Sequence, residues 1–190
     1  ATKVETPANP TRVGYVFAGW YADAQFEQAY TFTTMPLNGT TVYAKWTANT
    51  YVVEFDPNFE DITGTTQDQT FTYDVEQTLR ENGFVRVGYT FAGWNTLPNG
   101  NGIAYDTVTA VKNLAVEGAI TLYAQWTANT YDVIFDKNNG LGTMNNQTFT
   151  YDEAQTLNDN HFTRDGYTFV GWSTQADGNG TTYNTTTEYS

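Results

Sequence analysis

The nine residues RVGYTFAGW at 86–94 have near copies at 12–20 (RVGYVFAGW) and at 164–172 (RDGYTFVGW). Gly14, Gly88 and Gly166 are therefore spaced by 74 and then 78 residues. A recurrence of this length marks an array of similar units, and it constrains the fold more tightly than composition does. Two further blocks keep the same phase. TVYAKWTANTYVVEFD at 41–56 returns as TLYAQWTANTYDVIFD at 121–136, and QTFTYDVEQTL at 69–79 returns as QTFTYDEAQTL at 147–157. In order, the blocks give the C-terminal half of a first repeat (1–48), a complete repeat (49–128), and the N-terminal part of a third repeat (129–190) without its last strand. The chain reads as a piece cut from a longer array at both ends.

Inside the complete repeat, alternation with period two identifies strands. Tyr51, Val53 and Phe55 share one face, with Val52, Glu54 and Asp56 on the other; the later copy has Tyr131, Val133 and Phe135 against Asp132, Ile134 and Asp136. Phe71 and Tyr73 alternate with Thr70 and Thr72, so the first two strands form a hairpin. Asp74, with Gln77 three residues on and Gly83 beyond, has the spacing of a capping box, which predicts a short helix with Val75 and Leu79 facing inward. GYTFAGW then predicts a third strand with Tyr89 and Phe91 on one face and Trp94 on the other. TLYAQW predicts a fourth, with Leu122, Ala124 and Trp126 together.

Strand, strand, helix, strand, strand is the order of a β-grasp (ubiquitin-like) module, a mixed sheet folded over one helix. The expected class is α+β, strand-dominated, as tandem β-grasp repeats in an elongated array. A unit of this size folds alone only marginally. Its neighbours are joined by nothing longer than TANT at 47–50 and 127–130, without Gly, Pro or Ser, which predicts stiff joints.

Composition narrows the function classes. Aromatic residues make up 16% of the chain, which argues for a packed interior rather than disorder. With a net charge of −13, the chain repels phosphate backbones and anionic lipid, so nucleic acid is not an expected partner. No run of 18 apolar residues occurs, and residue 1 opens no charged-then-apolar leader, so no direct membrane insertion is expected. Cysteine is absent, which removes disulfides, thiolate metal sites and thiol nucleophiles together.

The blocks GYTFAGW and LYAQWTANTYxVxFD closely resemble the internalin B-repeat family, also called the Listeria-Bacteroides repeat, over nearly the whole chain. The resemblance implies a β-grasp module found in tandem on secreted and surface-anchored bacterial proteins, acting as spacer or adhesive segments, with no catalytic residue. One departure is a shorter loop after the motif in the first copy, at Tyr21 to Thr40.

His161 is the single histidine, but its equivalent in the preceding repeat is Gly83, so no function shared by the repeats rests on it. Asp56 with Asp136 and Asp74 with Asp152 recur as possible carboxylate pairs; turn and cap roles account for them better than glycoside hydrolysis does. The oxygen-rich loops DPNFED (56–61) and ADGNG (176–180) suggest calcium, yet LPNGNG (97–102) puts Asn99 where Asp177 stands. Lys45 is replaced by Gln125 in the next copy, which rules out a shared isopeptide bond. Trp20, Trp94 and Trp172 recur as candidate binding platforms; filling a core is the stronger reading for most of them, and Trp94, opposite Tyr89 and Phe91, is the candidate for partial exposure.

No catalytic residue, metal or cofactor is expected. The expected function is a non-enzymatic stalk or spacer segment of an extracellular, bacterial surface or secreted protein, with adhesion to host or other surfaces as a further role. The alternative is a carbohydrate- or protein-binding module with one ligand per repeat, whose partners would be host or cell-surface proteins or glycans. The third repeat, lacking its last strand, is expected to expose a sheet edge able to pair with another chain.

Overall fold

The computed structural model describes residues 5–34, 36 and 38–190. These form two compact units, Ala1–Phe84 with Gly93–Gln125, and Val85–Ala92 with Trp126–Ser190. Among the described residues the regular elements are all strands, and no helix forms.

The complete repeat builds a five-stranded sheet in the order Gln69–Thr72, Thr50–Asp56, Gly118–Ala128, Tyr89–Asn95, Ala104–Tyr105. Thr50–Val53 lie antiparallel to Gln69–Thr72, as a hairpin requires. Tyr51 to Asp56 lie parallel to Gly118 to Tyr123, with Val53 opposite Ile120 and Phe55 opposite Leu122. The alternation read from the sequence sets the core: Tyr51, Val53, Phe55, Phe71, Leu122 and Ala124 are all buried. Tyr51 stacks on Phe71 with ring centroids 5.5 Å apart.

The helix predicted after Asp74 does not form, so of the α+β, strand-dominated expectation the described residues carry the strand-dominated part alone. Asp74 adopts φ 62°, a left-handed conformation, whereas an N-cap residue sits in the β region. Its amide is taken by Asn113 Oδ1 at 2.7 Å, so Gln77 has no capping box to close. Gln69 supplies the rest of the explanation. Its Nε2 donates to Thr78 O at 2.9 Å and its Oε1 accepts from Arg80 N at 2.9 Å, which ties the segment to the hairpin in an extended form. Gln147 does the same to Thr156 O and Asn158 N, both at 2.8 Å. Gln77–Thr78 then pairs with Ala110–Val111 instead of coiling. Leu79 still points inward, but Val75 is exposed.

A second correction concerns Trp94, which is 0% exposed. Strict alternation puts it opposite Phe91, and a β-bulge removes that alternation. In the first repeat, Tyr15–Tyr21 pairs with Tyr43–Ala48 such that Phe17 faces Trp46, Gly19 faces Lys45 and Trp20 faces Ala44. Ala18 is the extra residue, so Phe17 and Trp20 share a face with ring centroids 5.3 Å apart. Gly19 has φ 124°, and Gly93 and Gly171 repeat it at 135° and 147°. The same device turns Trp94 onto Phe55, centroids 4.6 Å apart, and its Nε1 donates to Arg80 O at 3.4 Å.

In the third repeat, Thr130–Val133 pairs antiparallel with Gln147–Thr150, and Trp172–Ser173 with Thr182–Tyr183. Phe135, Phe149 and Leu157 form a small buried cluster against Met144, Phe162 and Trp172. Phe135 and Trp172 meet at 4.6 Å and 47°, reproducing the Phe55 and Trp94 pair at 4.6 Å and 49°.

Candidate functional site

The most repeated geometry is a joint between consecutive repeats, built from Arg-x-Gly-Tyr on one side and Asn with Tyr-Asp on the other. It begins with a tight turn. The amides of Tyr15, Tyr89 and Tyr167 donate to the carbonyls of Arg12, Arg86 and Arg164 at 3.1, 3.2 and 3.1 Å. The third turn residue is Gly14, Gly88 or Gly166, with φ 78°, 77° and 77°, a conformation that disfavours any side chain. The turn folds each guanidinium over the tyrosine ring three residues on, with Cζ 3.7, 3.5 and 3.9 Å from the centroid.

At the first joint, Asn49 N donates to Gly14 O at 2.8 Å and Tyr73 N donates to Asn49 O at 2.9 Å. The Tyr15 hydroxyl donates to Asp74 Oδ2 at 2.8 Å, and the Tyr15 and Tyr73 rings meet edge-on at 5.9 Å. The second joint repeats every contact. Asn129 N donates to Gly88 O and Tyr151 N to Asn129 O, both at 2.8 Å; the Tyr89 hydroxyl donates to Asp152 Oδ2 at 2.9 Å; the Tyr89 and Tyr151 rings meet at 5.7 Å. Gly14 and Gly88 are needed twice over, since a Cβ on either would lie 2.2 Å from the ring of Tyr73 or Tyr151. Gly166 shares the turn, but nothing stands within 4 Å of where its Cβ would be.

The joint is also an electrostatic unit. Hydrogen bonds from Asn113 and Tyr15 hold the Asp74 carboxyl below the ordinary carboxylate range. In return, the bond to Asp74 raises the Tyr15 hydroxyl, and the bond to Asp152 raises that of Tyr89. Asp74 thereby stays an acceptor and Tyr15 and Tyr89 stay donors at neutral pH.

The candidate residues named above do not gather at one place. Trp94 is enclosed in the core, and Trp20 and Trp172 are half-buried against Phe17 and Phe135. His161 is exposed, and its amide donates to Met144 Sδ at 3.4 Å. Asp56 and Asp136 each accept the amide two residues on, from Asn58 at 2.6 Å and Asn138 at 2.7 Å, the Asx turns foreseen for them. Asp74 and Asp152 serve the joints rather than helix caps. Asp177 accepts from Asn179 N at 3.0 Å in a turn of its own. Among the described residues, no three His, Cys, Asp or Glu side chains stand together as a metal site. The joint itself was missed in the sequence, although Arg12, Arg86 and Arg164 recur with the glycines, and Asp74 recurs as Asp152.

Fold and joints together define a strand-dominated tandem repeat. The family model of the Listeria-Bacteroides repeat domain matches residues 1–45, 51–125 and 131–190, and the chain belongs to that family. A protein of Evansella cellulosilytica named as a membrane protein is 32% identical over 184 residues, covering 94% of this chain and 26% of that protein. A second from the same organism, named as a Gly-rich membrane protein, is 45% identical over 104 residues, covering 52% of this chain and 12% of its own length. Internalin H of Listeria monocytogenes is 37% identical over 130 residues, covering 66% of this chain and 22% of the internalin. The chain thus spans about a quarter or less of these relatives. No solved structure matches it.

Proposed function

We propose that this segment is a non-enzymatic spacer that extends other parts of a bacterial surface protein, each repeat clamped to the next. The observation that carries this is the duplicated joint: Tyr15 with Asp74 and Tyr89 with Asp152, made by the same residues at 2.8 and 2.9 Å. A flexible linker has no use for two copies of a joint that combines a ring contact, a cation over a ring and two backbone bonds. A mechanical element does. The relatives, two named as membrane proteins and one an internalin, support a place at the cell surface.

Each complete unit is read as a β-grasp in which an extended strap replaces the helix. The sheet order, with a central parallel pair flanked by two hairpins, supports this. Adhesion, where the parent protein uses it, would come from the loops between strands and be multiplied by repetition. Glycan-array and host-protein screening of the purified chain tests the spacer: silence across both screens is the expected result, and a ligand bound once per repeat contradicts it.

A further inference from the structure

In an Asn-Gly pair the glycine amide reaches the preceding side chain with least hindrance, because glycine has no Cβ in the way. Six such pairs occur, at Asn38, Asn82, Asn99, Asn101, Asn139 and Asn179. In five the glycine amide is already engaged. Gly39 N donates to Pro36 O at 3.0 Å, Gly100 N to Leu97 O at 3.1 Å and Gly140 N to Lys137 O at 2.7 Å. Gly83 N donates to Thr66 Oγ1 at 2.9 Å and Gly102 N to Asn95 Oδ1 at 3.0 Å. The Gly180 amide has no acceptor among the described residues.

The cause is one substitution between equivalent hairpins. Asn95 is 2% exposed; its Oδ1 accepts from Leu97 N at 2.9 Å and Gly102 N at 3.0 Å, while its Nδ2 donates to Gly100 O at 3.0 Å. Ser173 stands at that position in the later hairpin. Its Oγ accepts from Gln175 N, the counterpart of Leu97 N, at 3.3 Å, and a hydroxyl has no second arm to reach Gly180. Asn101 and Asn179 are otherwise matched. Both are exposed and followed by a half-buried glycine, and the amide of each donates to the side chain two residues back, Asn99 at 3.1 Å and Asp177 at 3.0 Å. The Asn179 carboxamide is held by its nitrogen alone, which donates to Asp177 Oδ2 at 3.1 Å.

We propose that Asn179 is a site of spontaneous deamidation, in which the Gly180 main-chain nitrogen gives up its proton and attacks Asn179 Cγ. The new nitrogen–carbon bond closes a cyclic imide, and the Cγ–Nδ2 bond breaks to release ammonia. Water then opens the ring at either carbonyl, leaving aspartate or isoaspartate. One water is consumed for each ammonia released, and the step draws on no oxidant or further reactant. The product carboxylate no longer donates to Asp177 and stands beside it as a like charge, in the turn that Thr174 N closes on Thr181 O at 3.0 Å. Gly180 breaks no hydrogen bond before it attacks, whereas Gly102 must first leave a buried acceptor, which slows Asn101 about tenfold by comparison.

Peptide mapping by mass spectrometry, on the whole chain aged in warm, mildly alkaline buffer, tests this. Asn179 should acquire the mass shift of deamidation about tenfold faster than Asn101, with aspartate and isoaspartate peptides both formed. Ser173→Asn should slow Asn179 about tenfold, toward the rate of Asn101. In strong urea, where neither hairpin is folded, the two sites should react at similar rates. Equal rates in the folded chain overturn the proposal, and so does a fast Asn179 that Ser173→Asn leaves unchanged. A difference that persists in urea also overturns it, because local sequence rather than the missing acceptor would then set the rate.

Discussion

The Tyr89 hydroxyl donates to Asp152 Oδ2 at 2.9 Å, from a tyrosine whose ring lies under the Arg86 guanidinium with Cζ 3.5 Å from its centroid. Tyr15, Asp74 and Arg12 repeat that arrangement one unit earlier. The joint, rather than any pocket within a repeat, is thus what this chain duplicates most faithfully.

Gly88 and Gly166 separate two demands made on the same turn residue. Both have φ 77°, but only Gly88 is pressed against a ring. Gly166→Ala should cost about 1–2 kcal/mol, the left-handed backbone penalty alone. Gly88→Ala should cost about 2–4 kcal/mol, because the Tyr151 ring must also be pushed away. Urea unfolding of the two variants side by side decides this, and equal losses would argue against a packed joint.

The joint should weaken at both pH extremes. The Asp74 carboxyl is depressed by its bonds from Asn113 and Tyr15, so its contribution is present above the ordinary value of 3.8 and lost as pH falls through its lower folded value. The Tyr15 hydroxyl is raised by Asp74, so its contribution is present below the ordinary value of 10.0 and lost as pH rises through its higher folded value. Thermal melts of the native chain and of Tyr15→Phe should converge outside that window. A difference that persists unchanged in strong acid would contradict the assignment.

Trp94→Ala should destabilise the complete repeat by about 3–5 kcal/mol, because the ring is enclosed against Phe55 and Phe84. Denaturant titration followed by far-UV circular dichroism measures it. A loss under about 1 kcal/mol would mean that the ring is not the core residue described here.

Gln69→Ala should remove the two side-chain bonds that hold Thr78 and Arg80 in the strap. The expected loss is about 1–3 kcal/mol, with faster amide exchange at Arg80. Unchanged exchange at that amide would show that the strap is held by something else.

Much of this was legible in the residues, and the exceptions have definite causes. Alternation placed Tyr51, Val53, Phe55, Phe71, Leu122 and Ala124 correctly, because strand burial follows the side-chain period directly. It failed at Trp94 because one bulged residue resets the phase, and the glycine that permits the bulge looks like any other in the sequence. The helix reading failed because Asp74 and Gln77 satisfy a local rule, while the groups that overrule it, Asn113 and Gln69, come from other parts of the chain. The joint escaped for a related reason: its halves are 59 and 63 residues apart, and only the fold brings them together.

The stiffness of the joint is measured most directly by the distance distribution across it. The chain has no cysteine, so Ala24→Cys and Asp68→Cys, exposed positions on either side of the first joint and within one compact unit, can carry spin labels alone. Double electron–electron resonance should give one narrow distance, broadened when Gly14→Ala or Tyr15→Phe is added. A broad distribution in the otherwise unaltered chain would contradict a clamped joint.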